Sequence, residues 1–175
     1  MKQNIQPYIE IMDTTLRDGE QTDSVSFVPR EKLNIARLLL QDLNVDRIEV
    51  GSARVSEGER EATRLICHWA EDNAMLNRVE VLGFVDGHLS LDWLNDCGCK
   101  NINLLCKGSL RHCLYQLKKQ PQEHIDDIRR SIDYADRLGI GVNVYLEDWS
   151  SGMKDSPDFV YAMVDALSKE NIRRF

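Results

Sequence analysis

The sequence predicts an α/β fold: a TIM (β/α)8 barrel truncated after about five βα units and the start of the sixth strand. Two observations predict this fold. Short apolar runs alternate with helical patterns along the chain, and no turn signal typical of an antiparallel hairpin separates two runs. Repeated strand-helix units imply a parallel sheet with right-handed crossovers. Because a complete barrel takes about 250 residues and this chain has 175, we expect a partial one.

The predicted elements follow one another from Tyr8 to Phe175. The apolar run 8–12 predicts the first strand, and Pro29 opens a helix with apolar residues at helical spacing up to Leu43. Gly139 is placed to stop the helix that Pro121 opens. The other predicted elements are strands at 45–51, 79–84, 101–106 and 141–147, helices at 57–75 and 89–97 and from 156, and a sixth strand that begins at 171–175.

A doubly wound open sheet is the alternative that suits a chain of this length. No glycine-rich phosphate loop follows the first strand, which weakens the flavodoxin-like and Rossmann versions of that fold. We therefore favour the partial barrel. We expect one domain, residues 1–175, with no second domain in this chain.

Composition narrows the classes of partner. The net charge of −7, with no block of basic residues, argues against a nucleic-acid surface and favours small-molecule chemistry. Five cysteines form no CxxC pair, so we expect reduced thiols in a cytoplasmic protein. The polar segment 1–7 lacks the apolar core of a signal peptide, and no apolar stretch is long enough to cross a membrane.

A charged loop follows the first predicted strand, with the sequence Asp-Thr-Thr-Leu-Arg-Asp-Gly-Glu-Gln over residues 13–21. Loops at the carboxyl ends of parallel strands are where α/β folds keep their chemistry. Asp18 could bind a hard divalent cation, and Arg17 could pair with a carboxylate or a developing oxyanion. A solvated turn with a structural ion pair explains the same charges, since such pairs are common and weak.

Three more strand ends carry polar groups. Glu49 lies at the end of the second predicted strand, Ser109 and His112 follow the fourth, and Glu147 ends the fifth, next to Asp148. In a barrel these groups lie at one face, so we expect them to converge with the charged loop. Taken singly, a glutamate at a strand end is more often part of a salt bridge at the rim, and a lone histidine more often caps or packs.

The charged loop resembles, residue for residue, the signature of a metal-dependent barrel family of Claisen-condensation and aldol-cleavage enzymes. The family includes 2-isopropylmalate, citramalate and homocitrate synthases, hydroxymethylglutaryl-CoA lyase and the pyruvate carboxyltransferase domain. The resemblance covers essentially the whole chain. Its further motifs are Ile48-Glu49-Val50-Gly51 with Ser56, Gly58 and Glu61, Ser109-x-x-His112 with Leu117, and Leu146-Glu147-Asp148.

The resemblance implies a role for each candidate residue. Asp18 corresponds to a ligand of the divalent cation, Mg, Mn or Zn, which polarises the carbonyl of a 2-oxo acid. Arg17 corresponds to the group that stabilises the developing negative oxygen. Glu49 corresponds to a carboxylate that holds a metal-bound water or orients Arg17, and Glu147 to an acid/base residue near the reacting carbon. The residues implied around the bound oxo acid are Gln21, His112 and Ser109.

The activity implied is condensation of acetyl-CoA with a 2-oxo acid, most like 2-isopropylmalate synthase of leucine biosynthesis. Citramalate or homocitrate synthase, or a lyase or carboxyltransferase of the same family, are alternatives, and a non-catalytic fragment is the alternative from another class. The family completes its metal site with a His-x-His pair near the end of the seventh strand, and this chain contains no such pair. We expect this chain alone to be inactive and the full-length protein to be a homodimer. A partial barrel has two open edges, and we expect apolar residues on the inner face of its strands: Ile102, Leu104, Val142 and Val144. We therefore also expect the 175-residue chain to associate when it is expressed alone.

Overall fold

Five parallel strands form one sheet in the computed structural model, which describes residues 8–175. The strands are β1 (Met12–Asp13), β2 (Arg47–Ser52), β3 (Val79–Phe84), β4 (Asn101–Lys107) and β5 (Gly141–Glu147). Their order in the sheet is their order in the sequence, and every neighbouring pair is parallel. This is the strand order of a barrel wall, so the predicted truncated barrel is confirmed.

Helices connect successive strands and cover one face of the sheet. They are α1 (Pro29–Arg37), α2 (Glu57–Asp72), α3 (Leu89–Asp96), α4 (Pro121–Arg137), α5 (Trp149–Asp155) and α6 (Pro157–Leu167). Wider π-type turns continue the chain at Leu38–Asp42 and His112–Gln116, and 3-10 turns lie at Gly19–Gln21 and Leu76–Arg78. None of the helices within residues 8–175 combines the length and apolar character that a membrane crossing requires.

Local sequence explains where the helices begin. Pro29 and Pro121 occupy first-turn positions, where the missing N–H costs nothing. The Glu31 carboxylate accepts a hydrogen bond of 3.0 Å from the N–H of Val28, just before α1. Ser56 caps α2 by accepting from the N–H of Glu59 at 3.1 Å.

The hydrophobic core lies between the sheet and the helices. Val50, Val81 and Leu104 from the strands are at most 1% exposed and pack with helix residues such as Ile66 and Ile128. Burying each such side chain is worth about 1.5–3 kcal/mol. The apolar sides of the helices pack on this face of the sheet, and the strand residues that point toward them are apolar for that reason.

The opposite, inner face of the sheet is polar, which corrects one expectation. The sequence had suggested that Ile102, Leu104, Val142 and Val144 face the barrel interior, but they belong to the core under the helices. Side chains alternate along a strand, so their neighbours face inward. The inner face therefore carries buried polar residues: Glu49, Glu80, Asn101, Asn103 and Asn143.

The sheet is strongly curled. The Tyr145 hydroxyl on β5 lies 3.7 Å from the Met12 sulfur on β1, although these strands are at opposite edges. In a flat sheet, four strand spacings would separate them by about 19 Å. The sheet is thus half of a barrel wall, with its inner face in a concave interior.

The ends of the chain depart from the prediction in detail. The first strand is reduced to Met12–Asp13, and the part of the predicted strand from Tyr8 to Ile11 lies outside it. The sixth strand is only begun: Arg174 forms a single parallel bridge with Asn143, supported by a bond of 2.8 Å from the Arg173 N–H to the Val142 carbonyl.

One helix was missed by the sequence analysis. No element was predicted between the strand at 141–147 and the helix from 156, and the sequence of α5, Trp-Ser-Ser-Gly-Met-Lys-Asp, is rich in weak helix formers. It begins after Asp148, which has a left-handed backbone (φ 64°). Gly152 allows it to lie directly on the turn after β4, since a Cβ there would be 2.3 Å from the Gly108 carbonyl oxygen.

Candidate active site

The charged loop after β1 is a tight turn around one carbonyl group. The Thr14 carbonyl accepts hydrogen bonds from the N–H groups of Arg17 (3.0 Å), Asp18 (2.8 Å) and Gly19 (3.1 Å). The Leu16 side chain is completely buried and anchors the turn. With the backbone fixed this way, the next two side chains project from the carboxyl end of β1.

Arg17 is held between two carboxylates. Its Nε lies 2.5 Å from Glu49 Oε2, and its Nη1 lies 2.6 Å from Asp18 Oδ1. The Glu49 side chain is fully buried, whereas 59% of the Asp18 side chain is exposed. A buried carboxylate is costly unless it is paired, so Glu49 fixes the guanidinium and Asp18 remains open to solvent.

A buried lysine supports this loop from beneath. Lys32, 1% exposed, donates to the Leu16 carbonyl at 2.9 Å and pairs with Glu20 Oε2 at 2.5 Å and with Glu59 Oε1. Burial tends to raise the pKa of Glu20, but its bonds with Lys32 and the Phe27 N–H outweigh that effect and lower the pKa. For the more deeply buried Glu59, burial prevails and raises the pKa despite Lys32.

Ser109 and His112 lie in a second cleft, between the turn after β4 and α5. The Ser109 hydroxyl donates to Asp148 Oδ2 at 2.8 Å, and His112 Nε2 lies 3.5 Å from the same oxygen. Hydrogen bonds from Ser151 and Ser109 lower the pKa of Asp148. The Nδ1 atom of His112 is buried without a hydrogen-bond partner within the described residues. This polar cleft has a volume of about 500 Å³.

Glu147 forms an ion pair that no local motif in the sequence predicted. Its carboxylate contacts the ammonium of Lys107, which lies at the end of the neighbouring strand β4. The Glu147 side chain is 40% exposed and the Lys107 side chain 15% exposed. Lys107 thus places a fixed positive charge beside the predicted acid/base residue.

The predicted site residues fall into three groups. Arg17, with Asp18 and Glu49, is one; Ser109 with His112 is another; and Glu147 lies with Lys107. Gln21 lines the same cleft of about 220 Å³ as Arg17. No hydrogen bond or ion pair between described residues joins the three groups, so their convergence on one substrate stays a prediction.

The described residues do not form a metal centre by themselves. Nowhere in residues 8–175 do three or more His, Cys, Asp or Glu side chains cluster in a way that could hold an ion. Asp18 offers one exposed carboxylate, one oxygen of which already accepts from Arg17. A catalytic ion needs about three protein ligands, so any cation here would need further ligands from elsewhere in the protein.

Some residues of this region could not be found from local motifs. Lys32 looked like one of several helix lysines, and Lys107 like the end of a strand. A partial signal existed for the inner face: Asn101 and Asn103 alternate with apolar residues on β4, as Asn143, Tyr145 and Glu147 do on β5. Polar groups at every second position of an otherwise apolar strand indicate a polar interior.

Together, a curled parallel half-barrel and an arginine held by two carboxylates beside its first two strands define this chain as an α/β barrel protein with a charged site on its inner side. Comparison with protein families identifies it more closely: residues 8–175 match the HMGL-like family model. The chain belongs to that family.

Named relatives are synthases. The chain is 36% identical over 140 residues to (R)-citramalate synthase CimA and 40% identical over 146 residues to 2-isopropylmalate synthase, both of Methanocaldococcus jannaschii. These matches cover 80% and 83% of this chain but 27% of each relative. Homocitrate synthase AksA of Methanopyrus kandleri is 39% identical over 163 residues, which is 93% of this chain and 39% of the relative.

Solved structures support the fold. Hydroxymethylglutaryl-CoA lyase from Pseudomonas aeruginosa matches with a TM-score of 0.72 over 94% of this chain and 55% of that one, at 15% sequence identity. At that identity the likeness concerns the fold alone. This chain spans about half of the lyase chain and between 27% and 39% of the length of the synthases above.

Proposed function

We propose that the protein condenses acetyl-CoA with a 2-oxo acid at a divalent cation, Mg, Mn or Zn, to form a 2-hydroxy dicarboxylic acid. The observation that carries the proposal is the Arg17 guanidinium, which follows β1 and is held by Asp18 on one side and on the other by Glu49, which lies within β2 and not at its predicted end. Two findings support the proposal: the chain belongs to the HMGL-like family, and its relatives include citramalate, 2-isopropylmalate and homocitrate synthases.

Arg17 supplies positive charge where the reaction develops negative charge. In the condensation, the methyl carbon of acetyl-CoA attacks the keto carbon of the oxo acid, and the keto oxygen takes up the electron pair. The Nη2 group of Arg17 makes no hydrogen bond within residues 8–175 and remains free to donate to that oxygen. Preorganised donors of this kind are usually the largest single contribution to carbonyl catalysis.

Glu147 is the proposed acid/base residue. It would take the proton from the acetyl methyl group, and the Lys107 ammonium beside it would compensate its negative charge. Gln21, His112 and Ser109 are the proposed contacts of the oxo acid. Hydrolysis of the thioester by water then releases coenzyme A and leaves the second carboxylate of the product.

Asp18 is the proposed metal ligand of this chain. A bound cation would polarise the keto group of the substrate. Because the described residues do not complete a metal centre, the remaining ligands are proposed to lie in other parts of the protein, and every other role above is assigned to side chains present here.

Within this chemistry, we propose 2-isopropylmalate synthesis in the leucine pathway, in a cytoplasmic homodimer. Citramalate or homocitrate synthesis is the second candidate, favoured by identities of 36% and 39% to such enzymes against 40% for the isopropylmalate enzyme. A lyase or carboxyltransferase of the same family, or a non-catalytic fragment, would account for the fold equally.

Release of the coenzyme A thiol tests the proposal. The protein at its natural length is incubated with acetyl-CoA and, in turn, 3-methyl-2-oxobutanoate, pyruvate and 2-oxoglutarate, each with Mg²⁺, Mn²⁺ or Zn²⁺. We expect release that requires both an oxo acid and a cation, and that stops with a chelator. Cleavage of a 3-hydroxyacyl-CoA without any condensation would replace the synthase by a lyase. Absence of both reactions would favour the non-catalytic alternative.

A further inference from the structure

Glu49 has a second partner besides Arg17. Its Oε2 accepts from Arg17 Nε at 2.5 Å, and its Oε1 accepts from Asn103 Nδ2 at 2.7 Å. Asn103 lies on β4, is fully buried, and is separated from Glu49 by 54 positions in the sequence. Both carboxylate oxygens are therefore occupied, one by the arginine and one by an amide from the opposite side.

The chain of hydrogen bonds continues to β5. Asn143 Nδ2, also fully buried, donates to Asn103 Oδ1 at 2.8 Å. The direction of this chain of hydrogen bonds is forced, because an ionised carboxylate can accept hydrogen bonds but cannot donate them. Asn103 must therefore present its NH2 group to Glu49 and its oxygen to Asn143, which must in turn present its own NH2 group.

This arrangement fixes Glu49 from two sides. A carboxylate with one partner can rotate about its terminal side-chain torsion, which is broad. With Asn103 bound to the other oxygen, that rotation would break a hydrogen bond to a buried charged group, which is costly. The orientation of the Arg17 guanidinium then depends on β4 and β5, although neither strand contacts Arg17 through a hydrogen bond.

A neighbouring asparagine shows that burial alone does not produce this arrangement. Asn101 is two residues earlier on β4, on the same face and equally buried. Its Nδ2 donates to the backbone carbonyls of Val79 at 3.0 Å and Asn77 at 3.2 Å. Asn101 therefore links β4 to the beginning of β3. Asn101 takes no part in the path to Glu49.

We propose that Asn103 and Asn143 are positioning residues that hold Glu49, and through it Arg17, in the geometry needed for carbonyl chemistry. The geometric part of this inference stands on the hydrogen bonds alone; its catalytic part rests on the proposed function. Neither residue touches the reacting atoms. With Glu49 on β2, Asn103 on β4 and Asn143 on β5, the proposed site includes inward-facing residues of three strands.

NMR of the Arg17 side chain tests the geometric part without any assay of activity. The protein at its natural length is labelled with ¹⁵N-arginine, and the Arg17 Nε–H signal is assigned by its loss in Arg17→Lys. Two test variants are used. Asn103→Leu removes the donor to Glu49. Asn143→Asp has only acceptor oxygens and therefore cannot donate to Asn103 Oδ1. Asn101→Leu is the matched control.

We expect the Nε–H of Arg17 to exchange with solvent at least about tenfold faster in Asn103→Leu, with a smaller increase in Asn143→Asp. A tenfold change corresponds to about 1.4 kcal/mol, which is close to the low end of the range for a hydrogen bond to a charged group. The control should leave the signal unchanged even where urea unfolding shows a similar loss of stability. An unchanged signal in both test variants, or an equal change in the control, would overturn the proposal.

Kinetics separate this inference from the proposed function. If the wild type condenses acetyl-CoA with an oxo acid, Asn103→Leu should lower kcat at least about tenfold with little change in the KM for acetyl-CoA, while Asn101→Leu should not. A wild type without activity would contradict the proposed function, and the NMR result would still decide whether the two asparagines position Arg17.

Discussion

Arg17 is the residue to which the proposed chemistry gives the largest effect. Replacing it with alanine removes the group aimed at the developing oxyanion, and the loss of one such donor costs about 10²–10³ in kcat. We expect Arg17→Ala to lower kcat by at least that factor and to leave the circular dichroism spectrum nearly unchanged. Arg30→Ala, at an exposed position of α1, is the control. An equal loss of activity and of folded structure would make Arg17 a structural residue.

Lys32 should matter more for stability than for chemistry. Lys32→Met leaves the Glu20 and Glu59 carboxylates beneath the loop without their cation, and breaking a buried ion pair in this way costs about 3–5 kcal/mol. Urea unfolding measures the loss, with exposed Lys100→Met as control. Adding Glu59→Gln to Lys32→Met should recover part of the stability. No loss in Lys32→Met would show that the network contributes nothing.

The five cysteines should be unreactive in the native protein. All are buried and unbridged. A hydrogen bond with Cys67 lowers the pKa of Cys99, but this thiol is completely buried and so out of reach of a reagent. Burial raises the pKa of Cys97 to about 11 and that of Cys106 still further, so little of either thiol is ionised at pH 8. A thiol reagent should label the five only after unfolding. Because these pKa values are raised in the folded state, their contribution to stability is complete below about pH 9 and is lost as pH rises above it. Rapid labelling of native Cys97 would contradict this account.

At the scale of single residues, the sequence indicated the charged loop but not its support. Arg17, Asp18 and Glu49 were predictable because a dense polar motif directly follows or ends a strand. The contacts of Lys32 with Glu59 and of Asn103 with Glu49 join residues that lie 27 and 54 positions apart. One sequence contains no signal for such pairs, because either partner alone resembles an ordinary polar residue.

Among the elements, α5 makes the sharpest prediction. Its Gly152 lies so close to the turn after β4 that a Cβ would be 2.3 Å from the Gly108 carbonyl oxygen, and Gly108 is itself tied to the Glu147 carbonyl at 2.7 Å. We expect Gly152→Ala to destabilise the protein by about 1–3 kcal/mol and to disturb the cleft of Ser109.

Gly58 provides the matched control for this element. It also lies in a helix, α2, but a Cβ there would meet only Ser56 Oγ, at an ordinary 3.7 Å. Gly58→Ala should be neutral or stabilising by up to about 1 kcal/mol. Thermal unfolding of the two variants decides the matter, and equal stability would mean that α5 does not rest closely on that turn.

Elements with strong local signals were predictable, and weak ones were not. The strands β2 to β5 and the long helix α4 agree with the prediction to within about two residues. Apolar runs mark the strands, and Pro121 and Gly139 mark the two ends of the helix. α5 lacks such signals, and its helix is imposed by packing. The prediction also assigned the apolar strand residues to the wrong face of the sheet, because an alternating pattern does not say which face the helices cover.

For the molecule as a whole, the distinctive surface is the part of the β5 edge that lies beyond the bridge between Asn143 and Arg174. An apolar groove of about 750 Å³ runs along it, lined among others by Val144, Leu146, Trp149, Val160 and Phe175. An apolar groove beside a strand edge invites association. The predicted association of the isolated chain cannot rest on an apolar inner face, because that face is polar. The apolar groove beside β5 is now the reason to expect it.

We therefore expect the 175-residue chain, expressed alone, to associate. Sedimentation velocity should show oligomers, and a hydrophobic dye should bind. Leu146→Lys, which adds a charge in the groove, should reduce both effects, whereas Leu43→Lys, at an exposed position far along the sequence, should not. A compact monomer that binds no dye would contradict the expectation.

The formation of a carbon–carbon bond is the most direct test of the proposed condensation. The protein at its natural length is incubated with [2-¹³C]acetyl-CoA, a 2-oxo acid and a divalent cation, and the carbon spectrum is followed for wild type and Arg17→Ala in parallel. If the protein catalyses the proposed condensation, the labelled methyl signal is replaced by the methylene signal of a 2-hydroxy dicarboxylic acid in the wild type, and at least about a hundredfold more slowly in the variant. Label that stays in acetyl-CoA or appears only as acetate, or that is converted equally fast by both proteins, would contradict it.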